Sequence, residues 1–211
     1  STEILGPPAQ AKIPSREEAA EMRRGYFANI TYMDAQVGKV LDALERSGKA
    51  QSTMVVFLSD HGYHIGEHTL WGKTSNFELD ARVPCYMRVP WMTNVGSRTG
   101  SLAELVDVFP TVARAVGLGL PNGLDGVDLA PVLKDPSVRV KKAAFTQHPR
   151  PAYFDRYPSG VPKVMGMSVR TESVRYTEWR DWETGMVVGA ELYDAQGDEG
   201  ETRNLIAEEG W

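Results

Sequence analysis

The chain has 211 residues, 42% of them apolar and 24% charged, with a formal net charge of −5. That balance belongs to globular domains, and it argues against nucleic acid or an anionic membrane surface as partners. No apolar run is long enough to span a bilayer, and the single cysteine excludes an internal disulfide framework.

The residues up to Ile13 read as an extended lead-in containing Pro, Ala and Gly. Residues 1–8 have neither the basic start nor the apolar core of a signal peptide. Ser15 and Glu18 form a capping box, and Pro14 supports a helix start there. Met22, Tyr26, Ile30, Met33, Val37, Val40, Leu41 and Leu44 then recur at helical spacing, an apolar stripe suited to the face of a sheet. Gly48 is placed to end this helix.

Residues 54–58 form a continuous apolar, β-branched run, as expected of an interior strand in a mainly parallel sheet covered on both faces. The run ends in Ser59-Asp60-His61-Gly62. Ligands of open α/β sheets gather at the carboxyl ends of the strands, which makes Asp60 and His61 candidates for chemistry. A turn in which Asp60 caps its own backbone is the local alternative. The following loop, 60–82, is long and rich in His, Trp and Lys, a pattern common in functional loops.

A strand is expected at 83–89 between Pro84 and Pro90, with Cys85 as a small buried hydrophobe. Ser101 and Glu104 suggest a second capping box, opening a helix to Val116 that Pro110 should kink or split. Residues 124–133 read as a loop entering a short helix, and 143–147 as a strand. Residues 150–163 are rich in Pro and Tyr and should be a loop. Short strands at 165–170, 173–179 and 191–193 then suggest a small antiparallel sheet, covered by Trp179 and Trp182. The natural division is 1–149 and 150–211.

Ser59-Asp60-His61-Gly62, Gly66-Glu67-His68 and Trp71-Gly72-Lys73 together resemble the late metal-binding segment of the sulfatase family, within the alkaline-phosphatase-like superfamily. His after the Asp is similar to the iduronate-2-sulfatase branch. The resemblance continues through Ser75-Asn76-Phe77, Val83-Pro84 and 105–111. It resumes at Gln147-His148-Pro149-Arg150-Pro151, 165–171, 175–179 and the closing segments 191–194 and 201–205.

The resemblance implies an α/β fold: the carboxyl-terminal part of an alkaline-phosphatase-like sandwich, mostly a parallel sheet with helices, followed by a small antiparallel-sheet subdomain. It implies hydrolysis of sulfate esters on a sulfated carbohydrate such as a glycosaminoglycan. Asp60 and His61 fall at calcium positions and Lys73 at a catalytic, sulfate-contacting one. Tyr63, His148 and Arg150 fall near the substrate. Tyr63 faces sugar or packs structurally, and Arg150 pairs with a uronate carboxylate or lies solvated in its loop. His64 departs from the family pattern and has no assigned role.

The family's formylglycine arises from Cys-x-Pro-Ser-Arg, which this sequence lacks. Lys12-Ile13-Pro14-Ser15-Arg16 has only its tail, and no Asp-Asp pair occurs. The nucleophile and the early metal ligands are therefore expected on an upstream portion of the same sulfatase, which becomes a partner of this segment. A secreted, periplasmic or lysosomal location is the family expectation. Alternatives are a phosphomonoesterase or phosphonate hydrolase of the same superfamily, and a non-catalytic fragment.

Overall fold

The computed structural model describes residues 13–208, so the signal-peptide reading and nearly all of the lead-in lie outside the described residues. Helix α1 (Arg16–Arg46) opens with the expected capping box. Ser15 Oγ accepts from Glu18 N at 3.2 Å, and the Glu18 carboxylate accepts from Ser15 N at 2.7 Å. Gly48, at φ 70°, follows the C-cap Ser47.

Strand β1 (Val55–Leu58) pairs with β4 (Cys85–Arg88), with Leu58 opposite Cys85 and Val55 opposite Arg88. The pairing is antiparallel, and β4 is the one strand β1 pairs with among the described residues. β1 is thus not the interior parallel strand its apolar run suggested. A parallel neighbour needs a crossover connection, whereas here the chain runs through a loop and turns straight back beside β1.

The α1 stripe differs from expectation as well. None of its residues is buried, and Met22, Ile30, Met33, Val40 and Leu41 stay exposed. A helix of 31 residues is about 46 Å long, whereas strands of four residues reach only about 13 Å, so the ribbon cannot cover the stripe. Cys85, expected to be buried, is exposed on the same ribbon.

Helix α3 (Val108–Ala115) follows a single turn at Leu105–Asp107 whose own capping box joins Glu104 to Asp107, not Ser101 to Glu104. Pro110 neither kinks nor splits α3. It lies in the first turn, where a missing N–H costs no helical bond. Asp107 is fully buried, with Lys141 Nζ 2.8 Å from its carboxylate and Val127 N donating to it at 2.8 Å. Burial alone would lower the Lys141 ammonium, but its bonds to Asp107 and Glu104 outweigh this and raise it. Helix α4 (Ala130–Lys134) then packs against α3.

Strands β5 (Ala144–Arg150), β6 (Val164–Arg170), β7 (Val174–Asp181) and β8 (Val187–Asp194) form an antiparallel meander in that order. The sheet draws on residues on both sides of position 149. Trp179 is 3% exposed and Tyr193 7%, so both sit in its core, whereas Trp182 is 48% exposed. Arg175 is buried between two elements: its Nε donates to Glu201 at 2.6 Å and its Nη2 to Glu78, at the start of α2 (Glu78–Ala81). This guanidinium ties the sheet to the loop that follows β1.

Candidate functional site

That loop is not structureless. Gly62 N donates to Asp80 O at 2.8 Å and Tyr63 N to Leu79 O at 3.0 Å, which folds its beginning onto its end. A Cβ at position 62 would lie 1.8 Å from Leu79 O, so the closure requires glycine. Inside the loop, β2 (His64–Ile65) and β3 (Trp71–Gly72) form a short antiparallel pair that sets His64 opposite Gly72. Helix α1 braces it from one side. Arg23 donates to Ile65 O at 2.9 Å, and its guanidinium lies 5.5 Å from the Trp71 ring centre.

Three of the expected residues converge. Asp60 and His61 follow β1, and Lys73 follows β3. His61 Nε2 lies 2.6 Å from Lys73 Nζ and 3.4 Å from Asp60 Oδ2. His61 Nδ1 lies 2.8 Å from Gly62 O, and a carbonyl only accepts, so Nδ1 carries the proton and Nε2 presents its lone pair. The Asp60 side chain is 81% exposed.

An exposed carboxylate is a fitting calcium ligand, and the His61 Nε2 lone pair beside it, which here faces Lys73, is a softer second donor. Calcium takes about six to eight ligands. Among the described residues no group of three or more His, Cys, Asp or Glu is gathered to hold a metal. Asp60 and His61 therefore fit part of a shell.

Of the other expected residues, Tyr63 lies on the same loop, and β5 carries His148 and Arg150 beside the strand that meets the later part of that loop. Tyr63 is 42% exposed and stacks on Tyr26 of α1 at 5.4 Å between ring centres, so part of its face is used in packing. His148 and Arg150 lie at the far end of β5. His148 pairs with Gly166 of β6, whose carbonyl accepts from Asn76 Nδ2 at 3.2 Å, close after Lys73 in the loop. Burial, reinforced by the Arg150 charge, pushes the His148 imidazole down to about 4, so it is neutral at physiological pH. The Arg150 guanidinium sits 5.3 Å from the Trp179 ring centre, and burial lowers it from its ordinary range. His68 stacks on Phe77 at 3.9 Å, which makes it part of the loop's packing.

Sequence reasoning missed Asp80. It is 5% exposed and accepts from Ser75 Oγ at 2.6 Å, with His64 Nδ1 2.8 Å from its other oxygen. Burial alone would raise this carboxyl, but the bonds from His64 and Ser75 outweigh it and lower it, so Asp80 is charged. Two signals were available: the departure of His64 from the family pattern, and a carboxylate set between the apolar Leu79 and Ala81.

The sulfatase family model matches residues 5–118, and a model described as N-sulphoglucosamine sulphohydrolase, C-terminal, matches residues 66–211. Iduronate 2-sulfatase of Mus musculus is 34% identical over 75% of this chain and 38% of its own length. N-acetylglucosamine-6-O-sulfatase of Bacteroides thetaiotaomicron is 27% identical over 87% of this chain and 32% of its own. Among solved structures, a protein in complex with its substrate D-glucosamine-2-N,6-O-disulfate superposes with a TM-score of 0.79 at 24% identity, covering 93% of this chain and 39% of that one. A phosphonate monoester hydrolase from Silicibacter pomeroyi gives 0.78 at 25% identity, covering 97% of this chain and 40% of that one. This chain thus spans under half the length of these relatives and shares their α/β fold, including the small antiparallel sheet. On these matches, which together take in nearly the whole chain, the chain belongs to the sulfatase family.

Proposed function

We propose that the complete polypeptide hydrolyses sulfate esters on a sulfated carbohydrate, in the manner of the iduronate-2-sulfatase branch, and that this chain supplies late ligands of its active site. The observation that carries the reading is the meeting of Asp60, His61 and Lys73 in one loop at the end of β1. Asp60 and His61 would hold calcium, which when bound supplies positive charge to the sulfate oxygens. Lys73 offers a compact ammonium to the same tetrahedral anion and stabilises charge as it moves toward the leaving oxygen. Arg150 and His148, behind Asn76, would orient the sugar, with Tyr63 at the rim.

The formylglycine nucleophile and the remaining metal ligands belong, in this reading, to an upstream portion of the same sulfatase. The bare stripe of α1 and, among the described residues, the unpaired edge of β1 are the surfaces it would cover. We divide the chain into a sandwich portion and a small-sheet subdomain; the boundary expected at 149/150 would fall within β5, so the sheet's first strand, Ala144–Arg150, goes with the subdomain. Among the described residues no helix is long and apolar enough to cross a membrane.

The test has two parts. The 211-residue chain alone should show no arylsulfate hydrolysis, while the polypeptide extended upstream should turn over. In the extended form, Asp60→Asn should weaken calcium binding and activity together. Lys73→Ala should keep calcium affinity and lose about a hundredfold in kcat, as expected for one charge-stabilising donor. Full activity in Lys73→Ala, or loss of calcium as severe as in Asp60→Asn, would refute the division of roles. The likeness to a phosphonate monoester hydrolase supports a second reading, in which a phosphonate monoester is turned over faster than any sulfate ester.

A further inference from the structure

The proposed reaction gives no part to the buried polar cluster of His64, Asp80 and Ser75. Three of the contacts Asp80 makes bear on the candidate centre. Its main-chain oxygen accepts from Gly62 N at 2.8 Å, one residue after His61. Its Oδ1 lies 2.8 Å from His64 Nδ1, and His64 pairs across the β2–β3 ribbon with Gly72, the residue before Lys73. Its Oδ2 accepts from Ser75 Oγ at 2.6 Å, two residues after Lys73. One buried residue therefore holds the chain beside His61 and on both sides of Lys73, the two groups that meet at 2.6 Å.

We infer that Asp80 is the positioning residue of the Asp60–His61–Lys73 centre, with His64 as its coupled partner. The chemistry favours a carboxylate. Both side chains that reach it are donors, and a carboxylate accepts from both without offering a proton of its own. An amide at position 80 turns an N–H toward one of them. If His64 responds by moving its proton to Nε2, that proton meets nothing, because Nε2 is buried without a partner. The strain passes through Gly72 and Ser75 to Lys73. Only the kinetic part of this inference rests on the proposed function.

The first measurement uses the 211-residue chain and its four histidines. Imidazole nitrogen spectra at fixed pH report the His61 Nε2 environment, and Lys73→Ala defines the signal of His61 without its ammonium neighbour. Asp80→Asn, which conserves volume, and His64→Ala should both move the His61 signal toward that of Lys73→Ala. His64→Asn, whose amide N–H replaces the Nδ1 donor, should restore the wild-type signal. In the upstream-extended polypeptide, Asp80→Asn should lower arylsulfatase kcat by roughly ten- to a hundredfold, as for a small displacement of a catalytic group. His64→Ala/Asp80→Asn should be no worse than the worse single variant, the mark of residues acting as a unit. A wild-type His61 signal in both Asp80→Asn and His64→Ala overturns the inference. If the extended wild type cleaves no sulfate ester, the functional reading fails while the imidazole spectra still decide the positioning role.

Discussion

His148 offers a prediction whose size follows from its surroundings. Its side chain lies against Arg150, in the part of β5 that pairs with Gly166, and its Nε2 is buried without a partner. Burial and the Arg150 charge hold it at about 4 in the folded chain, against 6.5 for a free imidazole. Between these values the unfolded chain binds a proton that the folded chain refuses, so stability falls as pH drops from about 6.5 to about 4. Above that window both states are neutral, and below it both are protonated and the loss is complete. Unscreened, the gap corresponds to roughly 3 kcal/mol, and partial solvent access reduces it to about 2 kcal/mol. For a chain of this size that is a fall of roughly 4–8 °C in Tm. The assay is thermal unfolding of wild type and His148→Gln across pH 7 to 4. The wild type should lose about 2 kcal/mol more than the variant over this range, whatever their difference at pH 7. Parallel curves would show that His148 is not held neutral by its site.

Two further outcomes test how the sheet is joined to the site loop. Arg175→Met leaves Glu201 and Glu78 without their shared cation, which should cost about 3–5 kcal/mol and lower the urea midpoint accordingly. A change under about 1 kcal/mol would show that these carboxylates find other partners. Gly166→Ala would set a Cβ 2.6 Å from Asn76 Nδ2 and 2.7 Å from the Trp179 ring, so it should destabilise by about 1–3 kcal/mol. Tryptophan emission should shift to the red as Trp179 is displaced, and an unchanged spectrum with unchanged stability would contradict the close approach.

What could be read from the sequence depended on neighbours a few residues apart. The Ser15–Glu18 capping box joins positions three apart, and Gly48 beyond it answers the local demand for a positive φ at the end of α1. The run into Asp60-His61-Gly62 placed polar groups at a strand end, and the late strands declared themselves by composition and turns. Even the antiparallel meander of β5–β8 is a local product, since each strand pairs with the next.

What escaped the sequence depends on partners brought from a distance. The β1 run specified a strand but not its burial or the direction and number of its neighbours, which were set by where the chain returned as β4. Pro110 reads as a helix breaker until its place in the first turn of α3 shows that no hydrogen bond is lost. Lys73 meets His61 across twelve residues, Asp80 meets His64 across sixteen, and Arg175 reaches Glu78 across ninety-seven. A charged residue looks the same in sequence whether it faces water or anchors a site. Only folding, by removing Asp80 and Arg175 from water, made their hydrogen bonds obligatory and turned them into supports of the candidate centre.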